Sequence, residues 1–240
     1  MEKLRGTLYL IPCPITEEGE VWETLPQHNG EVISSLDYFI VENVRTARRF
    51  LSRARLGLKI EELEFAELNE HTTDPRSVEQ LIRPLLEGRS AGVISEAGVP
   101  GVADPGAQVV ALCHRQGIRV VPLVGPSSIL LAVMASGLNG QSFAFNGYLP
   151  IKPQERSQRI KQLEHRARQE RQSQLFIEAP YRNLKLMETL LACCQPDTLL
   201  TLAMDITSPE EYIATRTIAA WRRTPLPEMQ KRPAIFILGI

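Results

Sequence analysis

Short apolar runs of four or five residues recur along the chain. They read as strands at Thr7–Ile11, Tyr38–Val41, Gly92–Ser95, Ile118–Val121, Gln174–Ile177, Leu199–Ala203 and Ala234–Leu238. Between them the period changes to that of a helix. Val78, Leu81, Ile82, Leu85 and Leu86 repeat at i, i+3, i+4, i+7 and i+8, with Asp74 as N-cap and Pro75 in the first turn. Pro84 lies inside that pattern and predicts a kink or an early end. Further helices are predicted at Val44–Arg55, Ala107–Gln116, Ile129–Ser136, Glu155–Gln172 and Asn183–Cys193. The alternation of the two periods predicts an α/β fold with largely parallel sheets. Pro122, Gly125 and Pro126 follow the strand that ends at Val121 and predict a domain boundary. The expected organisation is an N-terminal α/β domain over 1–121 and a C-terminal α/β domain over 122–240.

Composition narrows the class. Of 240 residues, 43% are hydrophobic and 23% charged, which is enough apolar surface for true cores. The net charge of −1 excludes a general basic coat for nucleic acid but leaves room for a local basic face. No apolar run reaches the ~20 residues of a membrane span, and the first residues lack the pattern of an export signal. The expectation is a cytoplasmic protein with no membrane partner. Cys13, Cys113, Cys193 and Cys194 form no CxxC pair, and His28, His71, His114 and His165 are scattered, so no metal is expected.

Several familiar sites are missing. There is no G-x-G-x-x-G after a strand, no P-loop, no G-x-S-x-G elbow and no H-E-x-x-H. The most unusual stretch is instead Ser95–Gly106, where a buried strand runs into a loop with Gly98, Pro100, Gly101, Asp104, Pro105 and Gly106 before a helix. Loops at the C-terminal ends of strands in open α/β sheets bind ligands, and glycines let backbone approach them closely. Glu96 and Asp104 add carboxylates suited to hydroxyl groups or a cation. The same residues also suit a purely structural turn, with Asp104 as N-cap and Pro105 at the first helical position. A second strand–turn–helix, Pro122–Ile129, offers Ser127 and Ser128 as caps or as partners for a carboxylate.

Taken together, these segments resemble the tetrapyrrole-methylase superfamily, and most of all its branch of small-subunit ribosomal RNA cytidine 2′-O-methyltransferases. The resemblance is carried by Gly6–Tyr9, Glu42-Asn43-Val44-Arg45, Ser95–Gly106, Gly125–Ser128, Gly147–Lys152 and Glu178-Ala179-Pro180-Tyr181-Arg182, in the family's order and spacing. It implies two α/β domains with S-adenosylmethionine in the cleft between them. By the same resemblance the cofactor would meet Pro12, Glu96, Ala97, Gly98, Val99, Ser127, Ser128, Ile129, Ala179, Met204, Asp205 and Ala234. Glu42 and Lys152 are the candidates for removing or relaying the proton of a ribose hydroxyl. Arg45, Arg156 and Arg182 are the candidates for binding substrate. The family also implies a homodimer, and ribosomal RNA or the small ribosomal subunit as partner.

The segment 151–171 holds seven basic side chains (Lys152, Arg156, Arg159, Lys161, Arg166, Arg168 and Arg171) against three acidic ones, a local charge of +4. It suits phosphate contacts, and equally a solvated helix with ion pairs. The chain departs from the family pattern in places. Cys13–Glu18 replaces Thr-Pro-Ile-Gly-Asn-Leu, Asn43 and Val44 replace aspartate and threonine, Ala179 replaces serine, and Tyr181 replaces histidine. The cofactor loops keep the pattern better than the acceptor side. Three readings follow: a methyltransferase on ribosomal RNA, one acting on a small molecule or protein, and a non-catalytic S-adenosylmethionine-binding module.

Overall fold

The computed structural model describes residues 4–68 and 75–240. The chain divides into two units, Met1–Ser127 and Ser128–Ile240. The division falls after Ser127 rather than after Val121, because Pro122–Pro126 packs with the first unit. There Leu123 donates its N–H to Leu10 O, and Asn29 Nδ2 donates to Val124 O. A Cβ on Gly125 would lie 2.3 Å from the Pro12 ring.

The first unit runs β1 (Thr7–Ile11), α1 (Gln27–Ser34), β2 (Tyr38–Val41), α2 (Val44–Arg53), β3 (Glu64–Glu67), α3 (Pro75–Leu81), α4 (Arg83–Leu86), β4 (Ala91–Ile94), α5 (Gly106–Arg115) and β5 (Arg119–Pro122). Its strands form one parallel sheet in the order β3-β2-β4-β1-β5. Side chains alternate between two cores. Tyr38, Ile40, Ala91 and Val93 face one, and Phe39, Val41 and Ile94 face the other. Burial on both faces is why the central strands read as unbroken apolar runs. The helix expected through Val78–Leu86 is two helices. The break falls at Ile82, and Pro84, which has no N–H to give, sits in the first turn of α4. The expected cap at Asp74 lies outside the described residues.

The second unit runs α6 (Ser128–Ser136), β6 (Phe143–Tyr148), α7 (Pro153–Glu170), β7 (Ser173–Ile177), α8 (Asn183–Cys193), β8 (Leu199–Met204), β9 (Tyr212–Thr217), α9 (Ile218–Trp221) and β10 (Ala234–Gly239). Its sheet has the order β6-β7-β10-β8-β9. This sheet corrects the expectation of largely parallel strands: only β6 and β7 are parallel, and the other three pairings are antiparallel. Helix α7 provides the long crossover that the parallel β6–β7 pair needs, whereas β8 and β9 are joined directly through Asp205–Glu211. Phe176, Leu202, Phe236 and Leu238 pack under α7 and α8, and Leu175, Ala203, Ile235 and Ile237 pack under α6.

Candidate functional site

Because the first sheet is parallel, its strands deliver their C-terminal ends to one edge. Pro12 follows β1, Glu42 follows β2, Ser95–Val99 follow β4 and Leu123–Pro126 follow β5. Such an edge is where open α/β sheets take ligands. The loop after β4 is pinned there. Cys13 N donates to Gly98 O at 2.8 Å, and Gly98 N donates back to Cys13 O at 3.2 Å. Ser95 Oγ, buried at the strand end, donates towards Gly98 O at 3.2 Å. Gly98 has φ +70°, and a Cβ there would stand 3.3 Å from Pro126 O. The loop therefore needs glycine at this position for its conformation and for space.

Asp104 closes the other end of the loop. Its Oδ1 accepts from Gly101 N at 2.7 Å and from Gly106 N at 2.8 Å. The helix begins at Gly106, and Pro105 is its N-cap rather than its first helical residue. Asp104 thus braces the turn rather than occupying the cap position.

Three carboxylates meet at this edge. Glu42 is half-buried, and its Oε1 accepts from Glu96 N at 3.3 Å. Burial raises the Glu42 pKa, the charge of Asp104 raises it further, and that of Glu96 adds to this, while the hydrogen bond from Glu96 N opposes them. Burial also raises the pKa of Asp104. Burial, with the Glu42 charge behind it, pushes the Cys13 thiol up to about 12, so it is no nucleophile. Glu96 is exposed and accepts from Thr46 Oγ1 at 3.3 Å. Arg45 is exposed on the first turn of α2, which Asn43 caps by accepting from Arg45 N at 2.9 Å. A shallow recess beside the loop is lined by Cys13, Thr16, Thr46, Arg49, Ser95 and Glu96.

In the second unit another strand-end edge collects residues. Ala234 pairs with Met204 and Ile235 with Ile177, so the register brings Ala234, Met204 and the start of the Glu178–Arg182 segment to the same end of the sheet. The Met204 and Ala234 side chains lie in the core, so these two positions offer backbone rather than side chain to a ligand. Asp205 has φ +46° and Thr207 φ +72°, conformations that L residues seldom adopt and that cluster at functional sites. Asp205 is ion-paired to Arg232, and its N–H donates to Pro233 O. Ser128 and Ile129 form the first turn of α6, and Ser127 precedes it; all three are partly exposed.

Much of the basic segment 151–171 is engaged within the chain. Arg156 is buried, at 3% exposure, so a direct substrate contact there is corrected to an interior position. Arg159 donates to Asn146 Oδ1 at 3.1 Å, Arg168 is held by Asp197 and Thr198, and Arg166 pairs with Glu170. Lys152 is exposed, its Nζ 3.1 Å from Glu155. Arg182 is likewise engaged. Its Nε and Nη2 donate to Glu178 Oε1 at 2.9 and 2.5 Å, and the Glu178 side chain is wholly buried.

Residues 29–221 match the family model described as Tetrapyrrole (Corrin/Porphyrin) Methylases. The chain belongs to the tetrapyrrole methylase family. Among curated relatives, Ribosomal RNA small subunit methyltransferase I of Vibrio cholerae is 31% identical over 88% of this chain and 69% of its own. The protein of the same name from Haemophilus influenzae is 29% identical over 99% of this chain and 79% of its own. Among solved structures, the methyltransferase CobJ superposes with a TM-score of 0.63 at 19% identity, covering 98% of this chain and 94% of that one. Uroporphyrin-III C-methyl transferase from Thermus thermophilus, complexed with S-adenosylhomocysteine, gives 0.56 at 17% identity, covering 98% and 97%. These two structures share the tetrapyrrole methylase fold.

Two residues inside the quoted motifs were not singled out as site candidates from the sequence. One is Glu178, a wholly buried carboxylate that anchors Arg182. Its place directly after an apolar strand was the available signal. The other is Tyr148, at the end of a strand that the Asn146-Gly147 pair disguises as a turn.

Proposed function

We propose that this chain is an S-adenosylmethionine-dependent methyltransferase acting on the ribosomal RNA of the small ribosomal subunit, at a ribose 2′-hydroxyl. What carries the reading is the likeness to Ribosomal RNA small subunit methyltransferase I, about 30% identity across nearly the whole chain. A cytoplasmic location and a homodimer go with it; among the described residues no helix is long and apolar enough to cross a membrane.

The residues present fit the cofactor. The loop 95–99, pinned by the two-way Cys13–Gly98 bridge, offers a ligand backbone rather than large side chains. The half-buried carboxylates of Glu42 and Asp104 give that edge a negative field suited to a sulfonium or an ammonium group. Pro12, Glu96, Ala97, Gly98, Val99, Ser127, Ser128 and Ile129 would hold the cofactor from one stretch of chain. Ala179, Met204, Asp205 and Ala234 would do so from the other. When bound, it supplies an electrophilic methyl carbon.

The chain's own task is to align an acceptor oxygen and take its proton. Glu42 suits the second part, because its raised pKa makes it a stronger base than an ordinary carboxylate. Lys152 is the other candidate for removing or relaying a ribose hydroxyl proton. Arg45 and Arg182 would bind the acceptor strand.

Methyl transfer from labelled cofactor to purified small ribosomal subunits tests the reading. Label in the RNA supports it. Label confined to small molecules or protein would redirect the acceptor. Binding without transfer to any fraction would make the chain a non-catalytic module. Ser128→Arg is expected to abolish cofactor binding in a folded protein; undiminished affinity would misplace the site.

A further inference from the structure

Strand β6 pairs in parallel with β7, but the register slips. Phe145 faces Leu175 and Tyr148 faces Ile177, so three steps on one strand match two on the other. The extra residue is absorbed at Asn146-Gly147, where Gly147 takes φ +62°. The Asn146 side chain fills the broken ladder. Its Nδ2 donates to Ala144 O, Gln174 Oε1 and Leu175 O, and its Oδ1 accepts from Arg159. The bulge re-aims the strand end and sets Tyr148 opposite Ile177, one residue before the Glu178–Arg182 segment.

That segment is rigidly braced. Glu178 holds Arg182, and the Arg182 guanidinium lies 5.2 Å from the centre of the Tyr181 ring. The guanidinium is held above its ordinary pKa chiefly by its hydrogen bonds to Glu178, against a desolvation that lowers it. Tyr181 thus borders the cation directly, and Tyr148, paired in register with Ile177, stands at the start of the same braced segment. Yet Tyr148 is 64% exposed and Tyr181 71%, whereas Tyr38, a true core tyrosine, is 2% exposed with its hydroxyl bonded to Leu81 O. Two large rings held open to water beside a braced segment form the kind of exposed patch that marks an interaction site.

The covering partner can be argued from charge. Glu178 already matches the charge of Arg182, so this patch is a weak phosphate site. What it offers is open aromatic faces on a braced support. We propose that Tyr148 and Tyr181 form a stacking platform for unpaired nucleobases of the RNA strand that presents the methyl acceptor. A paired A-form helix covers its bases, so the strand must be single at this point. The proposal rests on the reading that the acceptor is RNA, and it adds the state of the strand and the residues that hold it.

The test uses a single-stranded RNA oligonucleotide carrying 2-aminopurine, whose fluorescence is quenched on stacking, with the full chain and the variants Tyr148→Ala, Tyr181→Ala and the two Phe replacements. Each Ala variant is expected to weaken binding about tenfold and to lose quenching, while the Phe variants stay within about twofold of the parent. In methyl transfer to small subunits, KM should rise in the Ala variants with kcat and cofactor affinity unchanged. Ala variants that fold, bind and quench like the parent overturn the platform and leave the RNA reading standing. A parent that stacks RNA yet methylates none supports the platform and counts against the acceptor. A parent that does neither removes both.

Discussion

Gly98 and Cys13 are bound to each other through both of their backbone polar groups, at 2.8 and 3.2 Å. This two-way bridge joins the end of β1 to the loop after β4 and fixes the backbone on which the cofactor reading depends. Gly98 also holds φ +70° with little room above it, whereas Gly101 holds φ +80° with nothing nearer than Ala107 N at 4.0 Å. Replacing either by Ala should cost about 1–2 kcal/mol in urea denaturation, because each forces an L residue into a left-handed conformation. Only Gly98→Ala should also weaken S-adenosylmethionine binding in calorimetric titration. Equal affinities for the two variants would count against the loop as the cofactor site.

The contact between Gly125 and Pro12 gives a second prediction. A Cβ on Gly125 would fall 2.3 Å from the Pro12 ring carbons. Gly125→Ala is therefore expected to destabilise the chain by about 1–3 kcal/mol through overpacking. Pro12→Gly should recover part of that loss in the double variant. Simple additivity of the two losses would show that the proline is not the obstacle.

Glu42 makes stability depend on pH. Its pKa is raised by burial first and then by Asp104, so the folded chain holds a proton there that the unfolded chain has released. That contribution is fully present below the ordinary carboxylate range, about pH 4, and is lost as pH rises through the raised value. Glu42→Gln keeps an oxygen for Glu96 N and removes the charge. It should be more stable than the parent near pH 8, with the advantage fading towards pH 4. A constant difference across that range would mean that Glu42 titrates as an ordinary surface group.

Glu178 and Arg182 should behave as one unit. Removing the buried carboxylate leaves the guanidinium without its anchor, and removing the guanidinium leaves a buried charge. Glu178→Ala and Arg182→Ala are each expected to cost on the order of 3 kcal/mol, and the double variant less than their sum. Denaturation of all four proteins measures the coupling, and independent effects would contradict the ion pair.

The turn at Ser95–Gly106 was legible because its conformation needs glycine, proline and a bracing carboxylate at fixed places, as Gly98, Pro100 and Asp104 show. The central strands were legible because they are buried on both faces. The strands that escaped, β3, β6 and β9, all lie at sheet edges, where polar and charged residues such as Glu64, Asn146 and Arg216 interrupt the apolar signal. Helix α1 was hidden by Asn29 and Gly30 in its interior. Gly30 is small because a Cβ would press on Trp22 and Leu56 at 2.9 Å, and Asn29 is there to reach Val124 O. Arg156 misled because charge in a sequence says nothing of direction, and its position on α7 turns it inward.

The two sheets also differ in how much chain must be gathered before a strand finds its neighbour. In the first unit Leu8 waits for Ala91, and Thr7 waits for Arg119. In the second, β8 meets β9 across one short connection. Long closures slow folding and short ones speed it. The half of the chain made first is thus the half that must stay open longest, with the apolar strand β1 unshielded until Arg119–Pro122 has emerged. Pulsed hydrogen exchange during refolding should find the amides of β8 and β9 protected before those of β1.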